Sequence, residues 1–319
     1  MKVLFTGGGG AGAQALWDLL GSSHELHFGD ADPRRVTPVV PASRIHAIPM
    51  ASDPGFVAAV AALCRRLAID VLVPGVDEEL LSLARCRAVL GPTAVLVPDT
   101  GFVEAMLDKL GFVERLAGIG VRLPVTARLD DAVGWDRFPA ILKPRHGRGS
   151  RGVVAIDDDS ALDRHRDQLG DHAGGHVVQE LIAGEEYSVQ VMVNSRGTLR
   201  GVFPAHVLAK RGITISAVGA AHPAVEEVCR AIHAAEPTPG CYNVQGIVDE
   251  ADAFVPFEIN PRVSTTLCLA VASGHDPLDL CFDEVVGSDL AAFQPGVRLE
   301  RYWTNVLVAG SDDAGERHG

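Results

Sequence analysis

Short unbroken apolar runs alternate with helical periodicities over the first third of the chain. Val3–Thr6 reads as a buried strand, residues 7–12 as a glycine turn, and residues 13–20 as a helix. A second strand ends at Asp30, residues 56–67 carry apolar side chains at helical spacing, and Val71–Pro74 is another buried strand. That strand runs into Asp77, Glu78 and Glu79, carboxylates that suit the positive end of a helix dipole. Strands and helices alternating in this way predict a parallel sheet flanked by helices over residues 1–95. Residues 89–99, with Gly91, Pro92 and Pro98, read as the linker that follows.

The pattern then changes. Residues 100–125 read as helix, short break, helix, and end among Gly118, Gly120 and Pro124. A smaller α+β lobe is expected over residues 126–187, with strands at 139–143, 153–156 and 177–182, a glycine-rich loop and a helix near 160–169. Strands dominate from there to about residue 286, interrupted by a helix over 224–235. One more strand is expected at 302–309, then a polar tail over 311–319 without fixed structure.

Two adjacent apolar runs, 241–249 and 253–262, carry the strongest chemical signal. Residues i and i+2 of a strand share a face, so Glu258 and Asn260 project side by side while Ile259 turns into a core. Gln245 opposes them from the neighbouring strand. A carboxylate and two amide oxygens on one face form a hard-oxygen set suited to Mg²⁺ (or Mn²⁺) that also holds phosphates. Arg262, two residues further along that face, adds a fixed cation for phosphate oxygens. The competing reading is an edge strand whose polar face is merely solvated.

Composition narrows the classes. With 319 residues and 47% hydrophobic content the chain can bury two or three domain cores. A formal net charge of −13 argues against a general nucleic-acid or membrane binder. Apolar stretches fall short of the roughly 18 residues a membrane span requires, and Met1–Phe5 runs straight into the glycine loop. The expectation is a soluble cytoplasmic protein, with a homodimer as the default assembly. The cysteines at 64, 86, 229, 241, 268 and 281 form no Cys-x-x-Cys pair and suit reduced core thiols.

Lysine is used sparingly. Only Lys2, Lys109, Lys143 and Lys210 occur among the 28 basic residues, and the last three fall beside motif residues. Lys143 ends an apolar strand and can reach phosphates held by the loop that follows. That loop, 145–152, offers Gly147, Gly149 and Gly152, whose backbone N–H groups can approach phosphate closely, together with Ser150 and arginines. No Gly-Lys-[Ser/Thr] follows, so it is not a Walker loop. Beyond it, 177–182 is an apolar strand with a polar exit, where a backbone hinge could pair with an adenine edge. Glu185 and Glu186 are adjacent, so only one of them faces the cleft to take ribose hydroxyls.

Gly7, Gly9 and Gly12 can be overlaid on a dinucleotide-binding pattern, with Asp30 and Asp32 near the expected ribose partner. Such overlays come easily in a glycine run, and a strand-to-helix turn lining a substrate cleft explains the segment equally. An NAD(P)-dependent oxidoreductase would leave the whole series from residue 139 to 262 without a role.

The order of these signals resembles the ATP-grasp superfamily, in particular the branch holding the synthetase halves of the carbamoyl phosphate synthase large subunit and stand-alone amino-acid ligases. The matching stretches are Asp108–Lys109, 139–152, 179–189, 243–245 and 257–262. The resemblance implies an α/β protein with a Rossmann-like domain over 1–95 and an ATP-grasp domain over 100–310, whose two α+β lobes clasp ATP. It implies phosphate contacts from Lys109 and Lys143, and a lid at Gly147, Gly149, Ser150 and Gly152. It further implies an adenine hinge at Glu180, Leu181 and Ile182, and a ribose carboxylate in Glu186. Gln245, Glu258 and Asn260 take metal-binding positions, and Arg262 matches the basic residue that stabilises an acyl-phosphate step, with Lys143 as the other catalytic cation. The family often has a second acidic metal ligand in the strand that holds Gln245, and glutamine there resembles the carbamoyl phosphate synthase branch.

Such an enzyme would be an ATP-dependent carboxylate–amine ligase that releases ADP and phosphate. Its partners would be a small carboxylate and an amine, with no nucleic acid and no membrane. His206, Lys210, Arg211 and Thr214, with Ser264, Thr265 and Thr266, are the candidates for substrate selection, since a lysine–arginine pair suits a substrate carboxylate. A catalytically silent ATP-binding regulator that keeps the fold is the alternative of another class.

Overall fold

The first apolar run becomes β1 (Lys2–Thr6), the centre of a five-stranded parallel sheet in the computed structural model, which describes residues 1–147, 149, 151–287, 289–303 and 305. The chain continues through α1 (Ala13–Leu20), β2 (Glu25–Asp30), β3 (Ile45–Ala47), α2 (Phe56–Leu67), β4 (Val71–Val73), α3 (Asp77–Arg85) and β5 (Ala94–Val95). Strand order is β3-β2-β1-β4-β5, with parallel pairing throughout. The segment expected to be a linker over 89–99 therefore contributes an edge strand, because Ala94 and Val95 pair with Val71 and Leu72. Two pairs are too few to show in a pattern punctuated by Gly91, Pro92 and Pro98.

Two helices, α4 (Thr100–Leu107) and α5 (Lys109–Leu116), meet at Asp108, whose extended backbone breaks the helix and whose side chain accepts the Leu110 N–H at 3.1 Å. The small lobe comprises β6 (Thr126–Arg128), β7 (Ala140–Pro144), β8 (Val154–Ile156), α6 (Asp159–Leu169) and β9 (His176–Glu180). Its antiparallel sheet runs β6-β9-β7-β8 and packs Leu129, Leu142, Ile156, Leu162 and Val178 into a separate core. Its last strand ends at Glu180, two residues short of the expected 182, and Tyr187, the expected end of the lobe, belongs to the next sheet.

That sheet is formed by β10 (Glu185–Val193), β11 (Leu199–Arg211), β12 (Ile213–Gly219), β13 (Gly240–Val248), β14 (Phe254–Asn260) and β15 (Arg298–Glu300), with α7 (Pro223–Ala235) between β12 and β13. Its order is β14-β13-β10-β11-β12-β15, antiparallel at every pair. Alternation along its strands separates the faces. Tyr187, Val189, Val191, Tyr242, Val244 and Ile259 pack with Phe102, Phe112, Val225 and Ile232 of α4, α5 and α7. On the opposite face, Met192, Phe203, Ala217 and Cys241 merge with Phe5, Leu16 and Phe28 of the first sheet into one core, so the two sheets are joined by continuous apolar packing.

The segment expected to be mostly strand up to residue 286 also contains α8 (Leu267–Ala272) and α9 (Pro277–Leu280). Leu267, Leu269 and Ala270 of α8 fill the shared core. Strand β15 lies before the expected 302–309 strand. Tyr302 and Trp303 carry no regular structure, and residues 304 and 306–319, which include the expected polar tail, lie outside the described residues. The six cysteines are free thiols, and all but Cys86 are buried. No described helix is long and apolar enough to cross a membrane.

Just past β15, Arg301 ties three elements together. Its guanidinium donates to the carbonyl oxygens of Thr214, at 3.0 Å, and of Ala11 and Thr265. Arg301→Ala leaves three carbonyls without their charged donor and is expected to lower unfolding stability by about 2 kcal/mol or more. Arg298→Ala, at an exposed position, is expected to stay within about 0.5 kcal/mol; urea titration of both variants tests the difference.

Candidate functional site

All three sheets meet at one cleft of about 670 Å³. One wall is the polar face of β10, β13 and β14, another is the small lobe, and the glycine turns after β1 and β4 close the far end with Gly7, Gly10, Ala11, Gly75 and Val76. Register places the oxygen cluster. Gln245 sits directly opposite Glu258, and Asn243 opposite Asn260, which puts each pair's Cβ atoms about 5 Å apart. A bulge follows, in which Gly246 pairs with Pro256, and it brings both Phe257 and Glu258 to the cleft side. Beneath this cluster lies a polar floor. Asn243 donates to Ser188 Oγ at 2.9 Å, and Gln190 donates to the Tyr242 carbonyl at 2.8 Å.

The lysines approach from the opposite wall. Lys143, on β7, is 5% exposed and donates to Gln179 Oε1 at 2.8 Å, while its Nζ stands 5.6 Å from the centre of the Phe257 ring. Lys109 starts α5, is 7% exposed, donates to the Gly147 carbonyl at 2.9 Å and lies 3.5 Å from Glu258 Oε1. Asp108, beside it, is paired with Arg145, which holds its carboxyl below the usual range despite burial. Burial pushes the Lys143 ammonium down to about 8; Glu258 pulls it back up, and Lys109 and Lys210 push it further down. Two nearly buried ammonium groups thus face one carboxylate, an arrangement that favours an incoming anion.

Glu186 is the cleft-facing member of its pair and accepts from Lys210 Nζ at 2.6 Å. Glu180 and Ile182 line the same end. Leu181 does too, but its N–H already donates to the Pro139 carbonyl at 3.2 Å, so a hinge donor would have to be Ile182. Gly147, Gly149 and Arg151 form the loop over the cleft. Gly152 packs towards Pro144 and is not part of the lining, contrary to expectation, and Ser150 lies outside the described residues.

Among the substrate candidates, Lys210, Arg211, Thr214, Ser264 and Thr265 line the cleft. His206 does not. It stands opposite Tyr187 in the β10–β11 register, one residue out of phase with Glu186, stacks on the Tyr187 ring at 5.1 Å and approaches Glu185 at 3.7 Å on the other face. Thr266 is buried below the lining, bonded to Ser264 and Ser188. The acids near the glycine turn are committed: Asp30 accepts the N–H groups of Gly9 at 2.8 Å and Asp32 at 2.9 Å, and Asp32 binds Arg34. A dinucleotide ribose would have to displace those bonds.

Sequence reasoning passed over Gln179, Asn243, Ser188 and Phe257 as site residues. Gln179 and Asn243 stand within quoted motifs and share a face with named residues by the i, i+2 rule, which could have flagged them. Phe257 depends on the bulge and could not be anticipated.

Comparisons with known proteins come to the same fold. A family model described as an ATP-grasp domain matches residues 106–266. N5-carboxyaminoimidazole ribonucleotide synthetase from Thermus thermophilus is similar with a TM-score of 0.65 at 17% identity, over 93% of this chain and 81% of that one. L-amino acid ligase from Bacillus licheniformis gives 0.64 at 17% identity, over 86% and 71%. The biotin carboxylase domain of Hydrogenobacter thermophilus 2-oxoglutarate carboxylase, in complex with MgADP, ADP and bicarbonate, gives 0.60 at 16% identity, over 87% and 67%. At these identities the likeness is one of fold.

Because Lys143 loses its charge as pH rises through about 8 in the unliganded protein, affinity for a triphosphate should hold steady below that value. Above it, affinity should fall by up to about tenfold per pH unit. Lys143→Arg, which stays charged, should flatten the alkaline limb; calorimetric titration between pH 6.5 and 9.5 checks both.

Proposed function

The chain belongs to the ATP-grasp family, and from that premise we propose that it is an ATP-dependent carboxylate–amine ligase. The observation that carries this reading is the meeting of two buried lysines, Lys109 and Lys143, with the Gln245, Glu258 and Asn260 oxygens in one cleft that also holds Glu186 and the 180–182 hinge. A cationic cleft in a chain of net charge −13 suits a nucleoside triphosphate.

Adenine would sit against residues 180–182, its edge on the Ile182 N–H, with the ribose hydroxyls on Glu186. Lys210 would then exchange part of its bond to Glu186 for a phosphate oxygen. Lys109 and Lys143 would neutralise the triphosphate, and the 147–152 loop would cover it. The donor set fits a divalent cation, since a carboxylate and two amide oxygens are hard ligands of the kind Mg²⁺ or Mn²⁺ takes. When bound, the cation would neutralise charge on the transferring phosphoryl group.

In the reaction we propose, a carboxylate oxygen of the acid attacks the γ-phosphorus. The bond to the β,γ-bridging oxygen breaks, and ADP leaves. The amine nitrogen then attacks the acyl carbon, the C–O bond to phosphate breaks, and the nitrogen gives up a proton as the amide forms. Arg262, beside the turn that carries Gly75 and Val76, would hold the acid and the charge that develops during transfer. Lid closure would exclude water, which would otherwise hydrolyse the acyl phosphate. Gly10, Ala11, Gly75 and Val76 line the same cleft as Arg262, and their small uncharged groups would leave room for the acid there.

Purified protein with Mg·ATP and a panel of acid and amine pairs should release ADP only with the correct pair. Glu258→Ala should reduce that rate by at least about a hundredfold, the scale of losing a main electrostatic stabiliser. Nucleotide binding that survives with no ADP release from any pair would favour a silent sensor. Binding of NADH in place of ATP would overturn the assignment.

A further inference from the structure

We infer that Asp77, visible in the sequence only as a helix-start carboxylate, is a positioning residue that aims Arg262 into the cleft, so that the first domain completes the site. The inference rests on the ligase reading for its kinetic consequences but not for its geometry.

Arg262 follows β14 in a tight turn, its N–H donating to the Asn260 carbonyl at 2.7 Å. Its Nε donates to Asp77 Oδ1 and its Nη1 to the Val263 carbonyl at 3.0 Å. A guanidinium carries five donors in a rigid plane. Fixing the Nε edge and one Nη1 hydrogen therefore fixes the direction of the rest. Arg262 lines the cleft, whereas Asp77 does not; the first domain's lining atoms there come from Gly75 and Val76. Asp77 can thus act on chemistry only through the arginine.

The carboxylate is itself well held. It opens α3, where the helix dipole favours an anion, and the N-cap Val76 supplies no competing side-chain cap. The turn before it is braced against the end of β1: a Cβ on Gly75 would meet the Thr6 carbonyl oxygen at 2.4 Å, so only glycine permits this approach. Both side chains of the pair are 14% exposed. Most surface ion pairs contribute little, but a pair this enclosed leaves an uncompensated charge when one partner is removed. The pair also spans 185 positions of sequence and joins the helix after β4 to the end of β14.

Asp77→Asn keeps the shape and removes the charge. If Asp77 aims Arg262, kcat should fall by about ten- to a hundredfold while KM for ATP stays within about twofold, the signature of an interaction made in the transition state. Asp77→Glu should recover part of the loss. The double variant Asp77→Asn/Arg262→Lys should be no slower than Arg262→Lys alone, since the two residues would act as one unit. A kcat unchanged in Asp77→Asn, or losses that multiply, would overturn the inference. A second readout needs no turnover. The Arg262 Nε–H resonance in a ¹⁵N spectrum, identified by its disappearance in Arg262→Lys, should shift in Asp77→Asn in a protein whose melting temperature shows it is folded. An unmoved resonance would overturn the positioning role even if no acid and amine pair had released ADP; wild-type inactivity alone would count against the ligase reading.

Discussion

The cost of holding two ammonium groups out of water organises this molecule. Lys109 and Lys143 are 7% and 5% exposed, and Glu258 is the carboxylate between them. Partial compensation of this kind is expensive unless an anion completes it. Three separate elements bring the arrangement together. The small lobe presents Lys143 on β7, α5 carries Lys109, and β14 supplies Glu258. The Gln179 amide, bonded to both Lys143 and Thr126, fixes the first ammonium, and the Gly147 carbonyl fixes the second.

Architecture follows from the need to bring those elements together. The six-stranded sheet packs one largely apolar face on the helices, and its other face changes character along its length, apolar where it meets the first sheet and polar where it faces the cleft. The same period-two alternation that packs Val189 and Val244 against the helices turns Ser188, Asn243 and Gln245 toward the cleft. The first domain lies across the open end, and its continuity with the large sheet rests on packed side chains. Two guanidinium groups add to that join: Arg301 through three backbone carbonyls, and Arg262 through Asp77.

Much of this was legible in the sequence, for identifiable reasons. Helices at 13–20 and 56–67 matched because their apolar spacing is strong and their ends are marked by Gly12, Gly21 and Gly55. The oxygen cluster was readable because i, i+2 geometry in a strand depends on no tertiary contact. Other features, like the bulge at Phe257, were not readable. Strand β5 is too short to leave a pattern. The placement of His206 depends on a register between β10 and β11 that the sequence does not display. The union of Asp77 with Arg262 requires knowing that the turn after β4 lands beside the end of β14. Local chemistry is written in local sequence, whereas distant pairings are set by how the sheets stack.

A crystal structure with Mg²⁺ and a non-hydrolysable ATP analogue tests the central claim most directly. The account predicts the metal among Gln245, Glu258 and Asn260, the β- and γ-phosphates against Lys109 and Lys143, and adenine at residues 180–182. Nucleotide bound at the glycine turn over 7–12 and the Asp30 side of the first sheet, with the lysine cleft empty, would contradict it.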